Sequence, residues 1–147
     1  MKTSIVAFAF LLGSVPVFAG KPFDVNEKVL KLFQETFKNP KDVAWHEFEE
    51  YYEVNFKDQE VKTTVRYDVE GNVLRSLRYY SGSQLPPYIL SSLKKQYSEL
   101  SIFGVTEFFT GTELSYFVTM QDDKHWYTIK SDPLGNLEQT EKFNKSR

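Results

Sequence analysis

Apolar positions along this chain follow two periods, and the periods take turns. Val25, Val29, Leu32, Phe33 and Phe37 recur at the three-and-four spacing of one helical face. Lys28, Lys31, Gln34, Glu35 and Lys38 fill the opposite face. Asp24 stands where an N-cap is expected, and Asn39-Pro40 stops the helix because Pro disfavours helical geometry in the residue before it. From there the period drops to two. Val43, Trp45 and Glu47 alternate with Ala44, His46 and Phe48. Tyr52, Val54 and Phe56 alternate with Glu53, Asn55 and Lys57, and Thr63, Val65 and Tyr67 with Thr64 and Arg66. That is the pattern of half-buried strands. Hairpin turns are expected at Glu49-Glu50, at Lys57-Asp58-Gln59 and at Asp68-Val69-Glu70-Gly71-Asn72, where Gly71 is free to take positive φ. Val73 to Tyr80 makes a fourth strand. Its facing is open: Val73, Leu77 and Tyr79 fit one side, Leu74 and Tyr80 the other.

The second half runs through the same order. Leu85-Pro86-Pro87 opens a helix whose apolar face is Ile89, Leu90, Leu93 and Tyr97, with prolines tolerated in the first turn. Strands follow at 102–109, 114–121, 126–131 and 137–143. Thr110-Gly111-Thr112, Asp122-Asp123 and Asp132-Pro133-Leu134-Gly135-Asn136 supply the turns. The D-x-x-G-N of Asp68 to Asn72 thus returns 64 positions later (Asp68 to Asp132), and the same offset carries Tyr52, Val54 and Phe56 onto Tyr116, Val118 and Met120. The fold class expected is α+β. Two tandem repeats, 24–80 and 85–143, each place one helix on one face of a four-stranded antiparallel sheet. Ser81-Gly82-Ser83-Gln84 is too short for a free linker, so both halves are expected in a single domain spanning 20–147.

A helix covers only one face of such a sheet. The uncovered face should carry Tyr51, Glu53, Thr64 and Arg66 in the first half, and Phe117, Thr119, Trp126, Thr128 and Lys130 in the second. Aromatic and charged side chains mixed on one surface are typical of protein recognition. Tyr51, Glu53, Arg66, Phe117, Trp126 and Lys130 are therefore the candidate binding residues. The expected function is a non-enzymatic binding or inhibitory module for an envelope protein or peptide. The alternative is a carrier of a sugar or other flat ligand stacked on Tyr51, Phe117 and Trp126. A purely structural role through an exposed edge strand is a third reading.

The N-terminus changes the compartment. Lys2 and the unbroken apolar run Ile5 to Leu12 precede Val17-Phe18-Ala19, which has small or modest side chains at the cleavage positions of a secretory signal. The run is well short of the ~20 residues of a membrane span. Residues 1–19 are read as a signal peptide, with a soluble periplasmic or secreted protein beginning at Gly20. The chain has no Cys, which excludes disulfides, thiolate metal sites, a cysteine nucleophile and a cysteine-linked lipid anchor. Its 18 basic and 20 acidic residues give a net charge of −2, so there is no electrostatic case for nucleic acid.

Site chemistry of other kinds is not signalled, and no cofactor is expected. His46-Glu47 does not continue into a zinc helix, because Glu50 stands where the second His is needed. His46 and His125 are far apart in sequence and are read as ordinary strand residues. The D-x-x-G-N segments lack the run of carboxylates that calcium needs and match the demands of tight turns. Ser83 follows Gly82 without a nucleophile-elbow pattern. Glu47, Glu49, Glu50 and Glu53 are read as surface acids.

Taken in order, Val43-Ala44-Trp45, Tyr52 to Phe56, Val65 to Asn72, Leu85-Pro86, Tyr97, Tyr116-Phe117-Val118 and Asp132 to Leu137 resemble the PepSY-like family of β-lactamase-inhibitor-like proteins exported by Bacteroidetes-type bacteria. The resemblance spans nearly all of the chain after Gly20. It implies two helix-plus-four-strand repeats side by side, helices on one face, and a concave open face that grips a protein. This chain lacks the disulfides of the β-lactamase inhibitor itself, and shared fold does not carry function with it.

Overall fold

The structure, a computed structural model, describes residues 24–146. The signal-peptide reading at 1–19 lies outside the described residues. The element order is α1 (Glu27–Thr36), β1 (Lys41–Glu47), β2 (Tyr51–Asp58), β3 (Val61–Asp68), β4 (Val73–Tyr80), a 3-10 turn (Gly82–Gln84), α2 (Pro87–Gln96), β5 (Ser101–Phe109), β6 (Leu114–Gln121), β7 (His125–Ser131) and β8 (Leu137–Asn144). All eight strands join one open antiparallel sheet in sequence order. The fold class is α+β. β4 pairs directly with β5, so the sheet runs unbroken from β1 to β8.

Both helices lie on the same face of that sheet. Under α1, Val25, Val29 and Phe33 pack on Val54, Phe56, Val65 and Tyr67. Under α2, Leu85, Ile89 and Leu93 pack on Val105, Tyr116, Val118, Met120 and Ile129. These are the alternate residues of β2, β3, β5, β6 and β7, so period two sets the floor and period 3.6 sets the lid. Burial of these side chains is the main stabilising term, at ~1.5–3 kcal/mol for each fully buried aliphatic or aromatic residue.

Several boundaries differ from the sequence expectation. α1 begins at Glu27, with Asn26 rather than Asp24 as its cap; the Asn26 side chain accepts the Lys28 N–H. Val25 is buried all the same, so two cap-competent residues flank one core anchor and spacing alone does not choose between them. The β2–β3 hairpin turns at Gln59-Glu60, one residue later than expected, because Asp58 still pairs with Val61. Both turn residues have positive φ, 47° and 68°, as a two-residue hairpin of this twist requires. β1 starts at Lys41 and bulges between Lys41 and Ala44, with Asp42 also at positive φ.

The D-x-x-G-N turns behave as turns. Gly71 and Gly135 sit at φ 92° and 85°. Each Asp takes the backbone N–H of the closing Asn on one carboxylate oxygen and its side-chain amide on the other, at 2.7 and 2.8 Å for Asp68 and 3.0 and 2.6 Å for Asp132. Those amide donors hold both carboxyl groups below the usual carboxylate range. The Asp and Asn of the motif are thus partners, and no oxygen cage is formed.

Candidate functional site: the open sheet face

Cross-strand register decides which side chains share the face opposite the helices. Tyr51, Glu53 and Asn55 on β2 stand opposite Asp68, Arg66 and Thr64 on β3. Phe117 and Thr119 on β6 stand opposite Lys130 and Thr128 on β7, and Gln121 stands opposite Trp126. Their neighbours along each strand are the buried core residues. Tyr51, Glu53, Arg66, Phe117, Trp126 and Lys130 therefore all lie on the uncovered face, at two separate stations.

The first station is built around one carboxylate. Glu53 Oε2 accepts from Arg66 Nε at 2.5 Å, and Arg75 Nη2 lies 4.0 Å from the same oxygen. Two guanidinium groups share this one carboxylate, and Asp68 stands on the same face opposite Tyr51. Arg66 also lies 4.7 Å above the Tyr51 ring, and Tyr51 stacks on Phe48 with centroids 4.4 Å apart. The guanidinium plane is held by a carboxylate at its edge and a ring at its face, an arrangement suited to Arg rather than Lys. Thr64 Oγ1 donates to Asn55 Oδ1 at 2.6 Å beside it.

The second station is aromatic. Trp126 meets Phe103 edge to face at 4.9 Å, and Phe143 stands opposite Trp126 on the edge strand. Phe103 is 65 % exposed and Phe143 55 %, a large apolar area for one corner of a sheet. One ammonium group borders it, Lys145 Nζ at 4.7 Å from the Trp126 ring; farther along the face, Lys130 Nζ lies 6.0 Å from the Phe117 ring. Between the stations, Leu77 on β4 stands opposite Phe108 on β5, an apolar pair on the same face.

Several contributors were missed by the sequence reading, Phe48, Phe108 and Phe143 among them. Arg75 stands opposite Arg66 on the open face, on the strand whose facing was left undecided. Phe103 reaches Trp126 because β5 has an irregular register between Ile102 and Gly104, which alternation does not foresee. Lys145 follows the last strand. On β4 the open set is Arg75, Leu77 and Tyr79, while Ser76 and Arg78 face the helices with Thr63 and Val65.

The helix side carries polar groups of its own. Arg78 Nη1 pairs with Glu107 at 3.2 Å, and Tyr80 donates to Glu107 at 2.7 Å. Burial and that carboxylate raise the Tyr80 phenol above its ordinary value. Asp122 accepts from Tyr127 Oη at 2.7 Å and from the Lys124 and His125 backbone N–H groups, which lowers its carboxyl. His125 Nδ1 lies 3.2 Å from the same carboxylate, while His46 stands opposite Glu53 on β1, far across the sheet. Among the described residues no group of three or more His, Cys, Asp or Glu is placed to hold a metal ion. No helix among them is long and apolar enough to cross a membrane.

No family model matches the chain, and no curated protein does. Solved structures do. A BLIP-like protein from Bacteroides fragilis superposes with a TM-score of 0.62 at 16% identity, over 84% of this chain and 89% of that one. A DUF2874 family protein from Bacteroides uniformis gives 0.58 at 20% identity, over 80% and 88%. A Bacteroides eggerthii protein provisionally assigned to the periplasm gives 0.59 at 14% identity, over 82% and 88%. At these identities the likeness is one of fold. It agrees with the BLIP-like resemblance read from the residues.

Proposed function

We propose that this chain is a non-enzymatic, exported binding or inhibitory module that holds a protein or peptide against its open sheet face. The observation that carries the reading is the face itself. Both helices sit on the opposite side, and the open side presents a station of two guanidinium groups on one carboxylate and an exposed aromatic station. Such a surface suits a partner with an acidic group for Arg66 and Arg75 and an apolar anchor for Phe103 and Trp126. Buried aromatic and Arg anchors dominate the energy of most protein interfaces.

Export rests on the N-terminal sequence, and the periplasmic assignment of one structural neighbour supports it. A tandem construction is part of the same proposal. α1 and α2 are each 10 residues long, 60 positions apart (Glu27 to Pro87), and the closing turns are 64 apart (Asp68 to Asp132). The difference of offset falls at the β5–β6 hairpin, which is longer than its β1–β2 counterpart.

Retention of an envelope component on the immobilised protein tests the function. Trp126→Ala and Arg66→Ala should each weaken retention at least tenfold, the scale of an interface anchor. Retention unaffected by both changes would place the interface elsewhere.

A further inference from the structure

We infer a second, separate binding site on the helix side of the sheet, a cleft between α2 and the start of β5 that takes a small anionic amphiphile such as a medium-chain carboxylate. The cleft has a volume of about 580 Å³, within the usual range for small-molecule sites. Leu90, Leu93, Leu100, Ile102 and Met120 supply its apolar wall, and Lys94 stands at it as the sole cation.

The matching seam under α1 shows that the cleft is not a general property of this helix-on-sheet arrangement. Helix positions correspond at an offset of 60, so Phe33 and Phe37 match Leu93 and Tyr97. Register carries the correspondence onto the strands. Trp45 stands opposite Val54, and Val105 stands opposite Val118, so Trp45 matches Val105 and Phe56 matches Met120. Under α1 these four aromatic residues fill the seam: Phe33 lies 5.4 Å from Phe37, 5.2 Å from Trp45 and 5.0 Å from Phe56, centroid to centroid. Under α2 their counterparts are one phenol and three aliphatic side chains. Three of those four, Leu93, Tyr97 and Met120, line the cleft. The volume removed by the aromatic-to-aliphatic exchange lies where the cleft lies.

The chemistry of the wall selects the ligand. Leu90, Leu100 and Ile102 are partly buried and present the apolar surface of the cleft, with the fully buried Leu93 and Met120 beneath them. Lys94, whose counterpart is Gln34, makes no ion pair among the described residues, and the Tyr97, Ser98 and Ser101 side chains add hydroxyl groups. A carboxylate on Lys94 with its chain over Leu90, Leu100 and Ile102 satisfies both halves of the surface. A neutral molecule of the same shape leaves the ammonium without its partner.

Octanoate and its neutral analogue octanamide are the probes. Calorimetric titration of the chain from Gly20 should show saturable octanoate binding, with octanamide weaker by about tenfold, the worth of one charge-assisted hydrogen bond. The methyl resonance of Met120 should shift with octanoate; Met1 and Met120 are the chain's two methionines, so assignment is direct. Lys94→Gln, which places the α1 residue at this surface position, should abolish the preference for octanoate over octanamide. Met120→Phe, which restores the ring found at Phe56, should weaken both probes tenfold or more. Trp126→Ala should change neither, which separates this site from the open face. Absence of saturable octanoate binding, or binding indifferent to both Lys94→Gln and Met120→Phe, would overturn the assignment.

Discussion

The two helix-to-sheet seams are laid out alike and packed differently. Under α1, Phe33, Phe37, Trp45 and Phe56 interlock as a ring cluster, with Phe37 and Phe56 only 4.5 Å apart at their centroids. Under α2, the same positions hold Leu93, Tyr97, Val105 and Met120, and a cleft remains beside them. The backbone register of β1 on β2 and of β5 on β6 is nonetheless equivalent around Val54 and Val118. Layout therefore depends on alternation and turn chemistry. Density of packing depends on which apolar residue fills each position.

Breaking the ring cluster should show the asymmetry most strongly. Phe33→Ala is expected to cost about 4 kcal/mol, because the ring is enclosed on every side and its removal leaves a cavity. Leu93→Ala, at the matching and equally buried position, is expected to cost about 2–3 kcal/mol, since a smaller side chain is removed. Urea denaturation of the two variants measures the difference, and equal losses would mean that the seams are packed alike.

The glycine turns sharpen the comparison at a smaller scale. A Cβ at Gly71 would run into Leu32 Cδ1, whereas at Gly135 the nearest atom is Tyr88 Cδ2 at 3.3 Å. Both residues carry the cost of a side chain at positive φ, ~1–2 kcal/mol. Gly71→Ala is expected to lose about 2 kcal/mol and Gly135→Ala about 1 kcal/mol by the same assay. The reverse order would show that Leu32 yields freely. Calcium or a chelator should move neither melting temperature.

A gain is expected at the hairpin of the first half alone. Gln59 and Glu60 both hold positive φ without Gly or Asn. Gln59→Asn with Glu60→Gly should stabilise by about 1 kcal/mol, because that pair is suited to this turn. A thermal melt reads the change, and destabilisation would contradict the turn geometry.

Acid should act on the halves in parallel. The Asp68 and Asp132 carboxyls are both lowered, chiefly by the Asn72 and Asn136 side-chain amides. Their contribution is present above the ordinary carboxylate pKa of about 4 and is lost as pH falls through the lower folded values. Asp68→Asn and Asp132→Asn should each flatten the fall of stability below about pH 4. An unchanged acid limb in both variants would show that the turns do not contribute to it.

Much of this was readable from residue order. Alternation assigned Tyr51, Glu53, Arg66, Phe117, Trp126 and Lys130 to the open face because their strand neighbours are unambiguous core residues such as Val54, Val65, Val118 and Ile129. β4 resisted, since Arg75 and Arg78 place a cation on each face and erase the alternation that would separate them. Phe103 was missed because a bulge changes parity without changing composition. Asp24 and Asn26 compete as caps two positions apart, a choice made by the side-chain hydrogen bond to Lys28. The cleft was hidden because it depends on a comparison of filled and unfilled positions. The signal was present in Phe33, Phe37, Trp45 and Phe56 set against Leu93, Tyr97, Val105 and Met120, but reading it requires an offset of 60 for the helices and 64 for the later strands.

The open face is the surface on which the proposed function stands, and photo-crosslinking tests it most directly. A benzophenone side chain placed at Thr119, on the open face, and at Gln34, exposed on the outer side of α1, samples the two sides of the molecule in its native envelope. A discrete adduct from Thr119 that disappears with Trp126→Ala, and none from Gln34, is the predicted result. An adduct from Gln34 with none from Thr119, or adducts indifferent to Trp126→Ala, would contradict it.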